Sequence, residues 1–214
     1  MKTSTGLSKD NLKLLLVCLT FVVAFMLMLL FRNDFSRIDL SINLWVPSIQ
    51  STVFTDLAIA VSYTFDTYSL LAITVGVATY LFFKNHKGES LLLIGAMGGD
   101  ALLVAVFKAL VHSPRPLNEL IVDLGYSFPS GHTTGSIVFC GLLAYFAWQH
   151  WKGDKARLLL GASSVTISAI VGFDRIYLNV HLFSDVLGGC MLGIFWLVFS
   201  ILAFKYLKRI FQTK

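Results

Sequence analysis

"LLLVCLTFVVAFMLMLLF", residues 14–31, is an apolar run without a single charged side chain. A helix needs roughly 20 predominantly apolar residues to cross the hydrocarbon core of a bilayer, and segment 12–31 provides that length. The run is longer than the hydrophobic region of a secretory signal, and it is followed by Arg32, Asn33 and Asp34 instead of a small-residue cleavage site. We therefore interpret it as an uncleaved first transmembrane span.

The rest of the chain has the same character. Of its 214 residues, 56% are hydrophobic and 14% are charged, whereas soluble domains carry about 25% charged residues. Five further segments approach the length of a span: 66–83, 90–110, 131–151, 157–174 and 184–204. The sequence predicts an all-α integral membrane bundle of six transmembrane helices, which forms a single domain over residues 1–214. We expect residues 38–65 to be extramembrane or interfacial, since their Trp45 and Tyr63 favour the headgroup level. The alternative is a second span that starts earlier, because Leu57 to Phe65 is also apolar, although Asp56 and Asp66 interrupt the pattern.

The seventeen basic residues are divided unevenly between the two sides that six spans define. Twelve fall on one side: Lys2, Lys9, Lys13, Lys84, Lys87, Lys152, Lys155, Arg157, Lys205, Lys208, Arg209 and Lys214. The other five are Arg32, Arg37, Lys108, Arg115 and Arg175. The positive-inside rule makes the richer side cytoplasmic, together with both termini. Membrane orientation thus explains the net charge of +5 better than nucleic-acid binding does.

Three polar motifs fall on the predicted extracytoplasmic side, each at the end of a span. They are Lys108 with Arg115-Pro116, then Pro129-Ser130-Gly131-His132, and finally Arg175 with His181 and Asp185. Two arginines and a lysine suit a dianionic phosphoryl group, because arginine offers bidentate donors and lysine a point charge. A Ser-Gly turn at a helix start presents free backbone N–H groups to an anion. Together the motifs predict a phosphoryl-binding site.

The two histidines of these motifs are candidates for the chemistry. His181 and Asp185 are four residues apart, so they would share one face if that stretch is helical. The carboxylate could then hold the imidazole in one tautomer and leave the other nitrogen free to attack. His132 is a second imidazole suited to proton transfer. Spacing alone does not decide which histidine is the nucleophile.

Each motif taken alone has a simpler explanation. Lys108 and Arg115 could contact lipid headgroups, and Pro-Ser-Gly could be an ordinary N-cap turn. A histidine four residues before an aspartate is also a weak signal by itself. Their joint occurrence on one face favours a catalytic site.

The three motifs resemble the signature of the type 2 phosphatidic acid phosphatase superfamily, K-x6-RP, PSGH and SR-x5-H-x3-D. They cover residues 108–185, and six spans are similar to the membrane members of that family. There are two departures. Asp174 stands where a serine often precedes the arginine of the third motif, and Ser113-Pro114 stands where an Arg-Pro is often found.

The resemblance implies a role for every motif residue. His181 would attack phosphorus and form a phosphohistidine, Asp185 would orient it, and His132 would protonate the leaving oxygen and later help to activate water. The phosphoryl oxygens would be held by Lys108, Arg115, Ser130, the Gly131 amide and Arg175. No metal and no cofactor is implied.

The function implied is a membrane lipid phosphatase that acts at the outer face of the cell membrane. Its substrate would be a phosphomonoester or diphosphate of a lipid, such as phosphatidylglycerophosphate, phosphatidic acid or undecaprenyl diphosphate. Membrane lipids are the expected partners, with no nucleic acid and no obligate protein partner. A lipid phosphotransferase, or a non-catalytic membrane protein that retains the fold, is the alternative; the presence of His132, His181 and Asp185 argues against the second.

Some features are not used by the motifs. Asp100 lies in the middle of the third span, where a carboxylate is either functional or hydrogen-bonded to a neighbouring span. We interpret His112 as a contact with lipid headgroups. Small residues four apart are expected to pack helices closely, at Gly95 and Gly99, Gly131 and Gly135, and Gly189 and Gly193. The cysteines are expected to be small packing residues, at Cys18, Cys140 and Cys190.

Overall fold

The computed structural model describes residues 9–212, and within that range the chain is helical with no strand. The predicted all-α fold is confirmed. Two of the basic residues that were assigned to the cytoplasmic side, Lys2 and Lys214, lie outside the described residues. The eight α-helices are α1 Lys9–Leu30, α2 Ser36–Trp45, α3 Thr52–Thr64, α4 Thr67–Phe83, α5 Lys87–Val111, α6 Gly131–His150, α7 Asp154–Tyr177 and α8 Phe183–Gln212.

Four of these helices, α1, α5, α7 and α8, are long and apolar enough to cross a membrane. A fifth span results if α3 and α4, which are bent by 54° at the break between them, are counted as one. The chain is therefore a multi-pass membrane protein. Six spans are not confirmed, because α6 does not reach the same hydropathy. Its first six residues, GHTTGS, are small or polar, and they belong to the candidate site.

The segment 38–65 is largely helical, and it is attached to the bundle. It comprises most of α2, a 3₁₀ turn at Val46–Ile49 and α3. The amide of Gln50 donates to the Tyr177 carbonyl at 2.8 Å, and the Ser51 N–H donates to the Tyr177 hydroxyl at 3.0 Å. These bonds fix α3 against the C-terminal end of α7.

Helices α6 and α8 approach closely because α8 carries glycines where they meet. A Cβ at Gly189 would lie 2.9 Å from the Ser130 carbonyl oxygen, and one at Gly193 would lie 3.2 Å from the Thr134 carbonyl oxygen. Side chains likewise crowd the Cβ positions of Gly99 and Gly135, whereas a Cβ at Gly95 would meet nothing within 4 Å. The packing interpretation thus holds for Gly99, Gly135, Gly189 and Gly193 and not for Gly95, and Gly131 makes only an ordinary contact.

The loop 112–130 is anchored to the core by an aromatic side chain. Phe128 is fully buried in a cluster with Phe25 of α1 and Leu192 of α8, and its ring stacks on Phe25 with centroids 6.0 Å apart. The next peptide bond, Phe128–Pro129, is cis. The anchor places the residues before α6 over the ends of α1 and α8.

The cysteines are free, with Cys18 and Cys140 buried and Cys190 half-buried.

Candidate active site

All eight predicted site residues lie at one end of the bundle. Lys108 is in the last turn of α5 and Arg175 in the last turn of α7. Gly131 and His132 begin α6, with Ser130 as its N-cap, and Asp185 is in the first turn of α8. Arg115 and His181 lie in the loops that precede α6 and α8. The three sequence motifs are therefore brought together by the alternating direction of the helices.

His181 and Asp185 meet without sharing a helix face. His181 precedes the start of α8 at Phe183, so the helical argument for their proximity does not apply. Instead the Asp185 carboxylate folds back over the helix start and accepts the Leu182 N–H at 2.9 Å. Its Oδ2 then lies 3.5 Å from His181 Nδ1.

A serine closes the gap between these two groups. The Ser127 hydroxyl is 3.0 Å from His181 Nδ1, and it donates to Asp185 Oδ2 at 2.5 Å. Because the serine proton is directed to the carboxylate, Nδ1–H of His181 donates to the serine oxygen in turn. This chain fixes the tautomer in which Nε2 has a free lone pair.

His181 is 2% exposed, and burial is the main reason that the pKa of its imidazole is lowered from the ordinary value of 6.5. The positive charges of Arg115 and Lys108 lower this pKa further, while the hydrogen bond and charge of Asp185 oppose them. A neutral imidazole at neutral pH is the form that can act as a nucleophile.

The free nitrogen of His181 faces an arginine and a carboxylate. Arg115 Nη1 lies 3.5 Å from His181 Nε2, and Asp123 Oδ2 lies 4.0 Å from the same nitrogen. Arg115 Nη1 pairs with Asp123 Oδ2 at 3.0 Å and donates to the Val180 carbonyl at 2.8 Å. Arg115 therefore ties the loop 112–130 to the segment that carries His181.

A cavity of about 600 Å³ opens beside this pair. Lys108, Asp123, Gly131 and His132 line its polar end, and apolar side chains of α4 and α5 line much of the remainder. The His132 imidazole is hydrogen-bonded to the Ser62 backbone of α3. It also lies close enough to Arg175, His181 and Lys108 to interact with them electrostatically. The cavity thus contains Lys108 and His132, and Asp123 in its lining lies next to His181.

Arg175 is fully buried and is paired with its own neighbour. Its Nε donates to Asp174 Oδ2 at 2.9 Å, and its Nη2 donates to the same oxygen. Arg175 Nη1 is buried without a partner among residues 9–212. The aspartate that departs from the family pattern therefore occupies one edge of the guanidinium, formed by Nε and Nη2, and does not pair with Nη1.

Ser130 is the N-cap of α6, which agrees with the interpretation of Pro-Ser-Gly as an N-cap turn. Its hydroxyl oxygen accepts the Thr133 N–H at 3.4 Å and the Thr133 hydroxyl at 3.0 Å. Its own N–H donates to the Asp185 carbonyl at 3.1 Å. Ser130 thereby couples the start of α6 to the start of α8.

Sequence reasoning missed three residues of the site. Ser127 lies two positions before the PSGH motif, and Asp123 lies in the loop that the first motif opens. Arg32 follows α1: its Nη2 donates to the Ser113 hydroxyl and lies 3.5 Å from Asp185 Oδ1. The only signal for Arg32 was its place among the five basic residues of that side.

The two residues left unassigned by the motifs have structural contacts. Asp100 accepts a hydrogen bond at 3.4 Å from the Thr134 hydroxyl of α6, which is the neighbouring-span contact considered above. Its carboxylate also lines the cavity that contains Lys108 and His132. His112 ends α5 with a positive φ of 50°, and its ring packs edge-on against Tyr126.

The fold and the site define a multi-pass, all-helical membrane protein in which two histidines, three basic residues and an aspartate converge at one end of the bundle. The family model described as the PAP2 superfamily matches residues 89–209. The chain belongs to that superfamily, and the resemblance seen in its motifs is confirmed.

Two curated relatives illustrate the membership. The chain is 32% identical over 147 residues to phosphatidylglycerophosphatase B of Bacillus subtilis. The aligned region covers 68% of this chain and 72% of that protein. It is 34% identical over 67 residues to the putative undecaprenyl-diphosphatase YbjG of Escherichia coli, over 31% of this chain and 29% of that one.

Two crystal structures have the same fold. A transmembrane PAP2 type phosphatidylglycerolphosphate phosphatase from Bacillus subtilis superposes with a TM-score of 0.81 at 25% identity, over 86% of this chain and 94% of that one. LpxE of Aquifex aeolicus superposes with a TM-score of 0.61 at 23% identity, over 76% and 93% of the respective chains. The second likeness shows the fold alone.

Proposed function

We propose that this protein is a metal-independent lipid phosphatase that works through a phosphohistidine at His181. The observation that supports this most directly is the environment of the imidazole. Nδ1 is held by Ser127 and Asp185, while Nε2 faces Arg115 at 3.5 Å. The nitrogen that carries the lone pair is thus directed to the place where cations would hold a phosphoryl group.

The reaction has two steps. In the first, His181 Nε2 forms a bond to phosphorus as the bond to the lipid oxygen breaks, and His132 gives the leaving oxygen a proton. In the second, His132 takes a proton from water, whose oxygen attacks phosphorus and releases His181 and inorganic phosphate. Asp185 and Ser127 stabilise the charge that His181 gains in the first step.

The phosphoryl oxygens would be held by Arg115, Lys108, the free Nη1 of Arg175 and the N–H groups at the start of α6. Ser130 would contribute chiefly by fixing that helix start, since its hydroxyl caps α6. A phosphoryl group at His181 Nε2 must compete with the Asp123 carboxylate, which pairs with Arg115 at 3.0 Å. Binding therefore requires Asp123 to turn aside.

A lipid substrate suits the shape of the cavity. The cavity has a volume of about 600 Å³. Its polar end contains Lys108 and His132, and its apolar walls include Leu70 and Leu71 of α4 and Met97 of α5. A phosphorylated headgroup could reach His132, and His181 once Asp123 turns aside, while its chains stay among the apolar side chains. The names of the two relatives suggest phosphatidylglycerophosphate and undecaprenyl diphosphate as the first compounds to try.

We also propose that α6 crosses the membrane with the other five spans, with α3 and α4 forming one bent span. Its polar first turns would lie at the site, and its remaining turns, from Ile137 onwards, are mostly apolar. Six spans would put both termini on the same side, and the distribution of basic residues supports the cytoplasmic side for them and the extracytoplasmic side for the site.

The test is phosphate release by the purified protein from a panel of solubilised lipid phosphates, both diacyl and polyprenyl, in the presence and absence of EDTA and orthovanadate. We expect release that survives EDTA, falls with vanadate and is abolished in His181→Ala. His112→Ala is the matched control, because this histidine lies at the same end but outside the cavity. Activity that is lost on chelation and restored by magnesium would contradict the mechanism.

A further inference from the structure

The end of the bundle opposite the active site carries a second cluster of ionisable side chains. His86 is the N-cap of α5, Glu89 lies in the first turn of that helix, and His150 is the last residue of α6. Glu89 and Lys108 are nineteen residues apart on α5, which corresponds to about 29 Å along the helix axis. The cluster is therefore separate from the phosphatase site.

The three side chains direct their ligand atoms to one point. His150 Nε2 lies 2.7 Å from Glu89 Oε1, and His86 Nδ1 lies 4.0 Å from Glu89 Oε2. One nitrogen of each imidazole and one carboxylate oxygen all fall within 4.8 Å of one another. The two rings meet edge to face with centroids 4.5 Å apart.

The carboxylate at the centre of the cluster is not fully satisfied by protein groups. The Glu89 side chain is 13% exposed, and its Oε2 is buried without a hydrogen-bond partner in the described part of the chain. A buried acceptor without a partner is costly. The two histidines are about 40% exposed, so an ion could reach this oxygen from solvent.

We propose that His86, Glu89 and His150 bind a divalent transition-metal ion, of which Zn²⁺ fits best. Two imidazoles and one carboxylate form a typical zinc ligand set, with bonds of about 2.0–2.2 Å in a tetrahedral arrangement. That geometry puts ligand atoms about 3.3 Å apart, within about 1 Å of the separations between Glu89 and each histidine. Small side-chain rotations are enough to form the site, and water completes the coordination.

The consequence for the fold is a bridge between two helix ends. His150 is 61 residues from Glu89 in sequence, so one ion would connect the start of α5 to the end of α6. The same two helices carry Lys108 and His132 at their other ends. The ion stabilises the packing of the bundle and takes no part in the phosphoryl chemistry.

The experiment uses the full-length protein without a histidine tag, purified in detergent and stripped with a chelator. Zn²⁺ is titrated by calorimetry, and Co²⁺ by its visible absorption, which reports coordination number and nitrogen ligation. We expect one equivalent to bind, with the intense bands of four-coordinate cobalt, and the thermal midpoint to rise with added Zn²⁺.

Three variants assign the ion to this cluster. Loss of an outer-shell partner alone weakens metal binding about 10- to 100-fold, so loss of a ligand in His86→Ala, Glu89→Gln or His150→Ala should cost at least that much. His112→Ala removes a histidine elsewhere and should bind as wild type does. Size-exclusion profiles and thermal midpoints without metal show whether each variant is folded.

Two outcomes would overturn the proposal. One is unchanged affinity and absorption in all three ligand variants, which would place the ion elsewhere. The other is the absence of stoichiometric binding to the wild-type protein, which would leave the cluster as a hydrogen-bonded pair of histidines and a glutamate. Neither outcome bears on the proposed phosphatase reaction, because that reaction is tested by phosphate release and uses residues at the other end.

Discussion

At the residue scale, the orientation of His181 depends on a hydroxyl group. The carboxylate of Asp185 is 3.5 Å from His181 Nδ1, which is too long for a strong hydrogen bond. Ser127 fills the interval with contacts of 3.0 Å and 2.5 Å. The imidazole is thus held by a serine that is itself held by the aspartate.

Replacing Ser127 with alanine should impair the chemical step. A hydrogen bond to a charged group is worth about 1.5–3 kcal/mol, which corresponds to a roughly 10- to 100-fold loss in kcat. KM should change little, because Ser127 does not face the cavity. Steady-state kinetics on a soluble aryl phosphate measure both values. Ser136→Ala, which removes a buried hydroxyl of α6 that donates to the Thr133 carbonyl, is the control. An equal loss in both variants would contradict the role of Ser127.

The roles of the two histidines predict different failures of their alanine variants. His181→Ala lacks the nucleophile and should form no phosphoenzyme with any substrate. His132→Ala lacks a proton donor, a role typically worth about 10²- to 10⁴-fold. The loss of activity in His132→Ala should be smaller with a nitrophenyl phosphate, because its leaving group is a weak base and needs little proton transfer.

Rapid-quench trapping with labelled substrate separates these cases, since phosphohistidine is acid-labile and base-stable. Asp185→Asn should be slowed with both kinds of substrate, because it disturbs the tautomer of His181. A phosphoenzyme in His181→Ala together with none in His132→Ala would mean that the two roles are reversed.

Because the pKa of His181 is lowered, we expect the protein to stay active at pH values below the ordinary pKa of histidine. Burial, and then the charges of Arg115 and Lys108, keep the imidazole neutral below pH 6.5, so the acid limb of kcat/KM should lie below that value. Arg115→Gln removes one positive charge and should move the limb upward. Comparing the two pH profiles with one substrate cancels the ionisation of the substrate itself. A limb that lies above pH 6.5 in the wild type would contradict the assignment.

The motif residues could be predicted because each carries its chemistry in its own side chain and lies at a fixed spacing. Ser127, Asp123 and Arg32 could not, since their roles come from contacts between distant segments. Asp123 reaches His181 only because Arg115 folds the loop 112–130 back on itself, and Arg32 reaches Asp185 because α1 packs on α8.

At the scale of the elements, the site depends on how closely α6 and α8 pack. Gly189 lies under the Ser130 carbonyl, where a Cβ would be 2.9 Å from that oxygen. Gly189→Ala should therefore push the two helix starts apart and cost about 1–3 kcal/mol of stability, with a loss of activity. Gly95→Ala is the matched control: its Cβ would meet nothing within 4 Å, and it should stabilise α5 by roughly 0.5–1 kcal/mol. Thermal unfolding in detergent measures both, and equal midpoints would exclude this packing role.

The elements themselves were predictable to different degrees. Long apolar runs marked α1, α5 and α8 well, because a span needs a continuous apolar length. Residues 52–64 belong to the segment 38–65 that the sequence predicts to be extramembrane or interfacial, and Asp56 and Asp66 interrupt its apolar pattern. The structure makes them α3, and Asp66 is the N-cap of α4, where its side chain accepts the Tyr68 N–H at 3.0 Å. In the sequence, a charged residue that caps the start of a helix looks the same as one that ends a transmembrane span. The sequence alone therefore did not show which of the two Asp66 is.

At the scale of the whole molecule, the two ends of the bundle carry different charges and different sites. Asn118 is exposed in the loop that contains Arg115, at the active-site end, and Gly153 is exposed between α6 and α7, at the other. Both positions are open to a reagent, so a cysteine placed at either should differ from the other only in the side of the membrane that it faces. From the twelve-to-five distribution of basic residues we expect Asn118 to lie outside the cytoplasm.

Single cysteines at these two positions, in a background with Cys18, Cys140 and Cys190 replaced, test that orientation in intact cells. A membrane-impermeant maleimide should label Asn118→Cys without permeabilisation and Gly153→Cys only after it. The Asn118 backbone carbonyl accepts a hydrogen bond from the Asn179 side chain at 3.0 Å, a contact that the substitution leaves in place. Labelling of Asn118→Cys only after permeabilisation would reverse the topology, and a lipid phosphate would then have to reach His181 and Arg115 from the cytoplasmic leaflet.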